Sequence, residues 1–434
     1  MGCFASQPAL VGAAEKYVLP ADVARAPSAT PPLESTGSAV VATMPSSSGI
    51  NPTLAEVAQA TSIARASARI DSIEQKHAPK PLVTGTPIES KLRTDKRVKD
   101  VYLLSKVLGM GGFSCVKLAL ERETGKEYAC KIMSFPTGAL VDPQTAKDHN
   151  IPCENSREDV FKEIDILCGM EHENIVYLKE YFEENNKVFL ITELLTGGEL
   201  LDAVVQRGSY NEAEARCIFR QILLGIQYLH SRNVVHRDLK LENLLLSVEG
   251  DITRVKIADF GLAKMTAGEA MQTVCGTPQY VAPEVILGHK STQYGPGVDM
   301  WGAGVVLFIL LGGYPPFYSE SEPELFNLIR KGKFAFDDPV WVGVTRRAKD
   351  LISKLLEVDP ARRLSAAAAL NHIWFVPDKV PANAPPLTVA QDNLRRHFSH
   401  KLSQKADNLR RHFSHKLSQK AVRAVASAAP PEAL

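Results

Sequence analysis

The chain has 434 residues, 45% hydrophobic and 23% charged, ordinary globular values that exclude a wholly disordered or fibrous protein. Its net charge of +1 excludes a strongly basic nucleic-acid binder, so no nucleic-acid partner is expected. That total conceals unlike parts, because residues 1–98 carry +2, residues 99–375 carry −7 and residues 376–434 carry +6.

The aromatic residues divide at the same places. Of thirty Phe, Tyr and Trp, only Phe4, Tyr17, Phe398 and Phe413 lie outside 99–375. Segments so poor in aromatic residues bury too little apolar surface to offset the chain entropy of folding. The expectation is one folded unit, 99–375, large enough for two lobes, between disordered N- and C-terminal extensions. Seven scattered cysteines form no C-x-x-C pair, which argues against a disulfide framework or zinc site and for a reducing compartment. No apolar run reaches the roughly eighteen residues of a membrane span.

The N-terminus reads Met1-Gly2-Cys3-Phe4-Ala5-Ser6, which fits N-myristoylation at Gly2 with Cys3 as a palmitoylation site. One myristoyl chain binds a membrane only marginally, so the second signal matters. This predicts a cytoplasmic protein associated with a membrane on its cytosolic face. The Ala/Ser bias of the first fifty residues also suits a transit peptide.

The segment Val101–Met133 alternates apolar and polar residues around a glycine-rich turn, which predicts a β-hairpin and a third strand. The turn reads Leu108-Gly109-Met110-Gly111-Gly112-Phe113-Ser114-Cys115-Val116, and its glycines would let backbone amides approach a polyphosphate. Lys131 ends the strand Tyr128-Ala129-Cys130-Lys131. Further on stands His236-Arg237-Asp238-Leu239-Lys240-Leu241-Glu242-Asn243, before the apolar run Leu244–Leu246. An Asp and an Asn five apart on one loop suit a base and a metal ligand around a phosphoryl group. Asp259-Phe260-Gly261 follows the apolar Ile257-Ala258 and offers a second metal ligand, and Ala282-Pro283-Glu284 comes later.

In this order and spacing the motifs resemble the protein-kinase signature. The resemblance covers about residues 99–375 and implies an α+β bilobal kinase fold, with a β-rich N-lobe, a helical C-lobe and ATP between them. Position by position, Leu108 through Val116 would cover the ATP phosphates, and Lys131 would bind them while pairing with Glu163. Glu193 and Leu195 complete the expected cofactor-binding set. Asp238 would accept the proton of the substrate hydroxyl and Lys240 would steady the moving phosphoryl group. Asn243 and Asp259 would hold Mg²⁺, Asp299 would brace the catalytic loop, and Glu284 would pair with Arg363. Two features depart from the pattern: Ser114 replaces the third glycine, and the stretch 135–160 before Glu163 is unusually long.

Lys240, with Gly276-Thr277-Pro278, is similar to the serine/threonine class. Gly197-Gly198-Glu199-Leu200 and Gly313-Tyr314-Pro315-Pro316-Phe317 are similar to the calcium/calmodulin-dependent kinases. In that group the acid at Glu199 reads an arginine three residues before the target. Protein substrates of the form Φ-x-Arg-x-x-Ser/Thr (Φ apolar) are therefore expected, and Thr273 occupies the usual regulatory position of the activation segment. A scaffold or pseudokinase that keeps the fold for binding alone is the competing reading.

The tail contains a perfect repeat: DNLRRHFSHKLSQKA fills 392–406 and again 407–421. On a helix its Leu and Phe residues gather on one side among basic residues, as in calmodulin targets and membrane-surface helices. Each copy also carries Leu-x-Arg-x-x-Ser, with Leu394, Arg396 and Ser399 in the first and Leu409, Arg411 and Ser414 in the second. The predicted role is a regulatory tail, autoinhibitory or autophosphorylated at Ser399 and Ser414, with calmodulin and a membrane surface as candidate partners. No EF-hand loop follows the kinase unit, so direct calcium sensing is not expected.

Overall fold

A computed structural model describes residues 65, 68–69, 91–110, 114–134, 157–207, 210–261, 263–265, 278–287, 294–376 and 386–398. The chain divides into two units, Met1–Asn51 and Pro52–Leu434, and every described residue belongs to the second.

A short helix, α1 (Val98–Val101), leads into strands β1 (Tyr102–Met110), β2 (Ser114–Glu121) and β3 (Glu127–Ser134). Helix α2 (Arg157–Cys168) follows, then β4 (Leu178–Glu184) and β5 (Lys187–Glu193). The strands form one antiparallel sheet in the order β1-β2-β3-β5-β4. Alternation along β3 decides what each face does. Tyr128 and Cys130 enter a small core where Tyr102 meets Tyr128 and Phe182 edge-on, at 5.9 and 6.1 Å. Ala129 and Lys131 take the other face, toward the C-lobe. The register sets Lys131 opposite Val116 on β2 and Leu190 on β5.

Next come α3 (Leu200–Gln206), α4 (Glu212–Ser231), α5 (Pro283–Leu287), α6 (Gly297–Gly312), α7 (Glu322–Lys331), α8 (Arg346–Leu355) and α9 (Ala366–Leu370). Asn211 starts α4 with a capping box: its side chain accepts from the Glu214 amide, and the Glu214 carboxylate accepts from the Asn211 amide. Apart from Asp299, helix α6 is apolar and it is buried from Val298 to Gly312, the central post of this lobe. It ends at Gly313, whose φ of 83° suits a residue without Cβ. Short strands β6 (Val234–Val235), β7 (Leu244–Leu246), β8 (Val255–Ile257) and β9 (Lys264–Met265) pair as β6–β9 and β7–β8. Those two pairs pin the loop that carries Asp238 and the turn that carries Asp259.

The described structure extends past both expected limits of the folded unit. The Tyr181 amide donates to the Lys91 carbonyl and the Arg93 amide to the Tyr181 carbonyl, at 3.0 and 2.9 Å, so 91–93 lies along the free edge of β4. The Arg93 guanidinium fixes it to Glu180 at 2.7 Å. Beyond residue 376, the segment 386–398 is ordered as well, and 388–398 form helix α10. Ala390 and Leu394 are fully buried, and Leu387 and Phe398 nearly so. The physical reason is a stripe of one residue per turn, Leu387, Ala390, Leu394 and Phe398, that begins before the repeat and so escapes a reading of the repeat alone.

Candidate active site

A cleft of about 730 Å³ opens between the sheet and the C-lobe, within the volume range of small-molecule sites. Val116 and Ala129 come to it from the sheet and Leu245 from β7, apolar side chains that suit the faces of a flat ring. Glu193, Leu194 and Leu195 form its back, where β5 leaves the sheet. Leu108, Gly109, Met110 and Ser114 stand at its glycine-rich edge. Lys131, Glu163, Asn243 and Asp259 add the polar groups.

The catalytic loop is built on one buried carboxylate. Asp299, on α6, accepts from the His236 amide at 2.9 Å, the Arg237 amide at 2.8 Å and the His230 ring at 2.8 Å. Burial pushes the Asp299 carboxyl up, but the hydrogen bond and charge of His230, with His236 and the Arg237 amide, outweigh it and hold it below the ordinary carboxylate range. These bonds let Arg237 adopt a φ of 67°, a left-handed conformation that a non-glycine residue takes only when its surroundings impose it. The His236 ring accepts from the Asp238 amide at 3.3 Å and bonds the Ala258 carbonyl at 3.1 Å. The loop and the Asp259 turn are thus tied to each other.

Around Asp238 the side chains converge. Lys240 Nζ donates to Asp238 Oδ2 at 2.6 Å. Asn243 Nδ2 donates to the Asp238 carbonyl at 2.7 Å and to Oδ2 at 3.0 Å. Across the cleft, Lys131 Nζ donates to Glu163 Oε1 at 2.7 Å and to Asp259 Oδ1 at 3.2 Å. Burial alone would lower the lysine pKa, yet the two carboxylates raise it above the ordinary lysine value. Burial alone would raise Asp259, and the adjoining Lys131 charge brings it below the usual carboxylate range. Both groups are therefore ionised at neutral pH. Asp259 too has a positive φ, 62°.

Away from the chemistry, Arg363 donates to Glu284 through both terminal nitrogens, at 2.7 and 3.0 Å, and its side chain is wholly buried. This forked pair links the segment after the activation loop to the base of the C-lobe.

Several expected positions fall differently. Cys115 is not among the residues that line the cleft, because strand alternation sends Ser114 and Val116 toward it and Cys115 to the opposite face. Glu193 lines the cleft as expected, and its carboxylate accepts from the Tyr177 amide at 2.8 Å and pairs with Lys256 at 2.7 Å. Gly111, Gly112, Phe113, Thr273, Ser399, Ser414, Gly2 and Cys3 lie outside the described residues. Ala129, Thr192 and Leu245 line the cleft without any motif that marks them. Their only signal in the sequence is a place on apolar strands beside marked residues.

The family profile described as protein kinase domain matches residues 102–375. The chain is 43% identical over 279 residues to myosin light chain kinase A of Dictyostelium discoideum, which covers 64% of this chain and 89% of that one. It is 43% identical over 279 residues to calcium/calmodulin-dependent protein kinase type 1 of Macrobrachium nipponense, with 64% and 76% covered. Human calcium/calmodulin-dependent protein kinase type 1B is 41% identical over 281 residues, with 65% and 77% covered.

Proposed function

Because the chain belongs to the protein kinase family and is a serine/threonine protein kinase, we propose that it phosphorylates basic segments of the form Φ-x-Arg-x-x-Ser/Thr under control of its activation segment and C-terminal tail. The observation that carries the chemistry is the convergence of Lys131, Asn243 and Asp259 on one cleft, with Asp238 hydrogen-bonded to Asn243.

Lys131, held by Glu163, presents its ammonium to phosphate oxygens without swinging away. Asp238 has Oδ2 engaged by Lys240 and Asn243, which orients the carboxylate and leaves Oδ1 to receive the proton of an incoming hydroxyl. Lys240 sits close enough to stabilise charge at the same centre. Asn243 and Asp259 offer the oxygen donors that a hard cation such as Mg²⁺ requires. Among the described residues no three His, Cys, Asp or Glu side chains gather as a complete cation cage. The donor set therefore fits an ion that takes its other ligands from phosphates and water, the usual habit of Mg²⁺. When bound, Mg²⁺ offsets the charge that develops on the transferring phosphate.

For substrate choice, Glu199 lines the cleft at the start of α3 and supplies a carboxylate for an arginine three residues before the target. The −7 balance of 99–375 favours cationic peptides over long range. For control, Arg237 has Nε and Nη1 buried with no hydrogen-bond partner among the described residues. Burial lowers its pKa against the raising effect of Asp299. A phosphate on Thr273 would supply the missing acceptors, and the deficit favours that residue as the regulatory site. The basic tail and the likeness to kinases named for calmodulin support calmodulin as a partner, and Gly2 and Cys3 support an acylated, membrane-associated form.

The test is phosphorylation of a peptide library with Mg-ATP, with and without Ca²⁺/calmodulin, on full-length protein and on protein shortened after residue 385. Selection of arginine at −3 with an apolar residue at −5, and faster turnover of the shortened or calmodulin-bound form, are expected. Nucleotide binding without transfer to any peptide would establish the competing reading, a scaffold that uses the fold for binding.

A further inference from the structure

The two copies of the tail repeat agree at all fifteen positions, so sequence preference alone gives Ser399 and Ser414 equal standing as targets. The fold treats the copies unequally. Residues of the first copy are already spent in α10: Leu394 is wholly buried, Phe398 is 4% exposed and Asn393 is 8% exposed. Asn393 donates to the Gly312 carbonyl at 3.0 Å, and Arg395 donates to the Val205 carbonyl at 3.2 Å. Arg396 faces outward but donates to Asn393 at 2.5 Å within the helix. The apolar determinant five residues before Ser399 is therefore in the core, and so is the residue just before it. To reach a cleft that reads those side chains, the first copy must leave its seat and unwind.

What fixes the first copy in the seat lies before the repeat begins. The Leu387 amide donates to the Tyr210 carbonyl at 2.6 Å. Gln391, 2% exposed, donates to the Val204 and Arg207 carbonyls at 3.0 and 3.2 Å. Ala390 is wholly buried against the turn after α6, so close that a Cβ on Gly313 would stand 2.2 Å from the Ala390 oxygen. Fifteen residues later the corresponding positions are Leu402, Ala406 and Lys405. The second copy would bring a lysine where only a methyl fits, and an alanine where two carbonyls need a donor. Its upstream residues bar it from the same seat.

We infer that the identical copies have divided their tasks: the first is the clamp that seats the tail on the C-lobe, and the second carries the serine that this kinase modifies, Ser414. This rests on the substrate reading proposed above. In the transfer, a bond forms between Ser414 Oγ and the γ-phosphorus of ATP while the bond from that phosphorus to its bridging oxygen breaks. ADP leaves with the bond's electron pair, and the hydroxyl proton passes to Asp238. Ser399 becomes a target only when α10 is released.

The test compares full-length Ser399→Ala and Ser414→Ala proteins incubated with Mg-ATP, since the repeat yields indistinguishable proteolytic peptides from the two sites. Ser399→Ala should incorporate tail phosphate at the unmodified rate, and Ser414→Ala should be at least about tenfold slower, the factor that re-exposing one buried leucine supplies. Ala390→Lys, which alters neither serine nor either copy, should restore the rate of Ser414→Ala. The fifteen-residue repeat as a free peptide separates the two layers of argument. A peptide that is not phosphorylated overturns the substrate reading and this inference with it. A peptide that is phosphorylated, with equal rates in the two alanine proteins or no effect of Ala390→Lys, overturns this inference alone.

Discussion

The catalytic loop and the seat of α10 lie in the same lobe and are held by opposite means. In the loop, side chains hold side chains or reach fixed amides: Asp299 gathers His230, His236 and Arg237, while Asp238 gathers Lys240 and Asn243. In the seat, the side chains of Gln391, Asn393 and Arg395 donate to main-chain carbonyls of Val204, Val205, Arg207 and Gly312. A side-chain partner can be lost by one substitution, so the loop's identity is fixed by its chemistry. A carbonyl is present whatever residue carries it, so the seat constrains the tail far more than the surface beneath it. The loop is built to stay in place.

The most severe way to break the contrast is Asp299→Ala. It removes a buried, charge-balanced acceptor from two amides and a histidine and should cost about 3–5 kcal/mol of stability, measured as the shift in a urea unfolding curve. A change below about 1 kcal/mol would deny that the loop is braced by this carboxylate. Next in size, Lys131→Met should lower kcat by about 10²-fold or more, with a smaller loss of stability than Asp299→Ala, because the buried Glu163 carboxylate loses its partner while Lys131 itself is partly exposed.

The seat should answer more gently. Gln391→Ala removes two hydrogen bonds from a buried amide and should cost about 1–2 kcal/mol locally, seen as about tenfold faster hydrogen exchange confined to 388–398. Faster exchange throughout the C-lobe would mean that α10 is part of the cooperative core. Smallest is a pH effect. His397 packs beside Tyr314 at 6.2 Å, and burial, with the Arg396 charge, lowers its pKa from the ordinary value. A base with a depressed folded pKa favours the docked, neutral form above about pH 6.5 and loses that stability as pH falls through its folded value. Exchange over 388–398, corrected for intrinsic rates, should therefore rise a few-fold from pH 7.5 to 5.5, and His397→Gln should flatten the rise.

The same contrast explains what the sequence made legible. Lys131, Asp238, Asn243 and Asp259 stand out because phosphoryl transfer accepts few residue types at those positions; the fold brings Lys131, Asn243 and Asp259 to one cleft and hydrogen-bonds Asp238 to Asn243. Lys131 and Glu163 meet across a long intervening segment because β3 and α2 present them toward each other. Nothing in Ala129 or Leu245 marks it as cleft lining, since any compact apolar side chain on those strands would serve. The segment 91–93 has no mark in the sequence, and in 388–398 the helical pattern of the repeat shows Leu394 and Phe398 but not Leu387 and Ala390, which complete the stripe. One docks by main-chain pairing along β4, and the other by an apolar stripe that straddles the start of the repeat. Cys115 shares the loop motif of its neighbours, but a motif does not record which face of the strand each residue takes.

The central claim is that the side chains gathered at Asp238 perform phosphoryl transfer to Ser/Thr peptides. It is tested most directly by assaying full-length protein and Asp238→Asn side by side, for transfer from Mg-ATP to a Φ-x-Arg-x-x-Ser peptide and for nucleotide affinity. The account predicts unchanged nucleotide affinity and a loss of turnover of about 10²- to 10⁴-fold, the range of a positioned general base. Turnover of the variant within about twofold of the unmodified protein would contradict it.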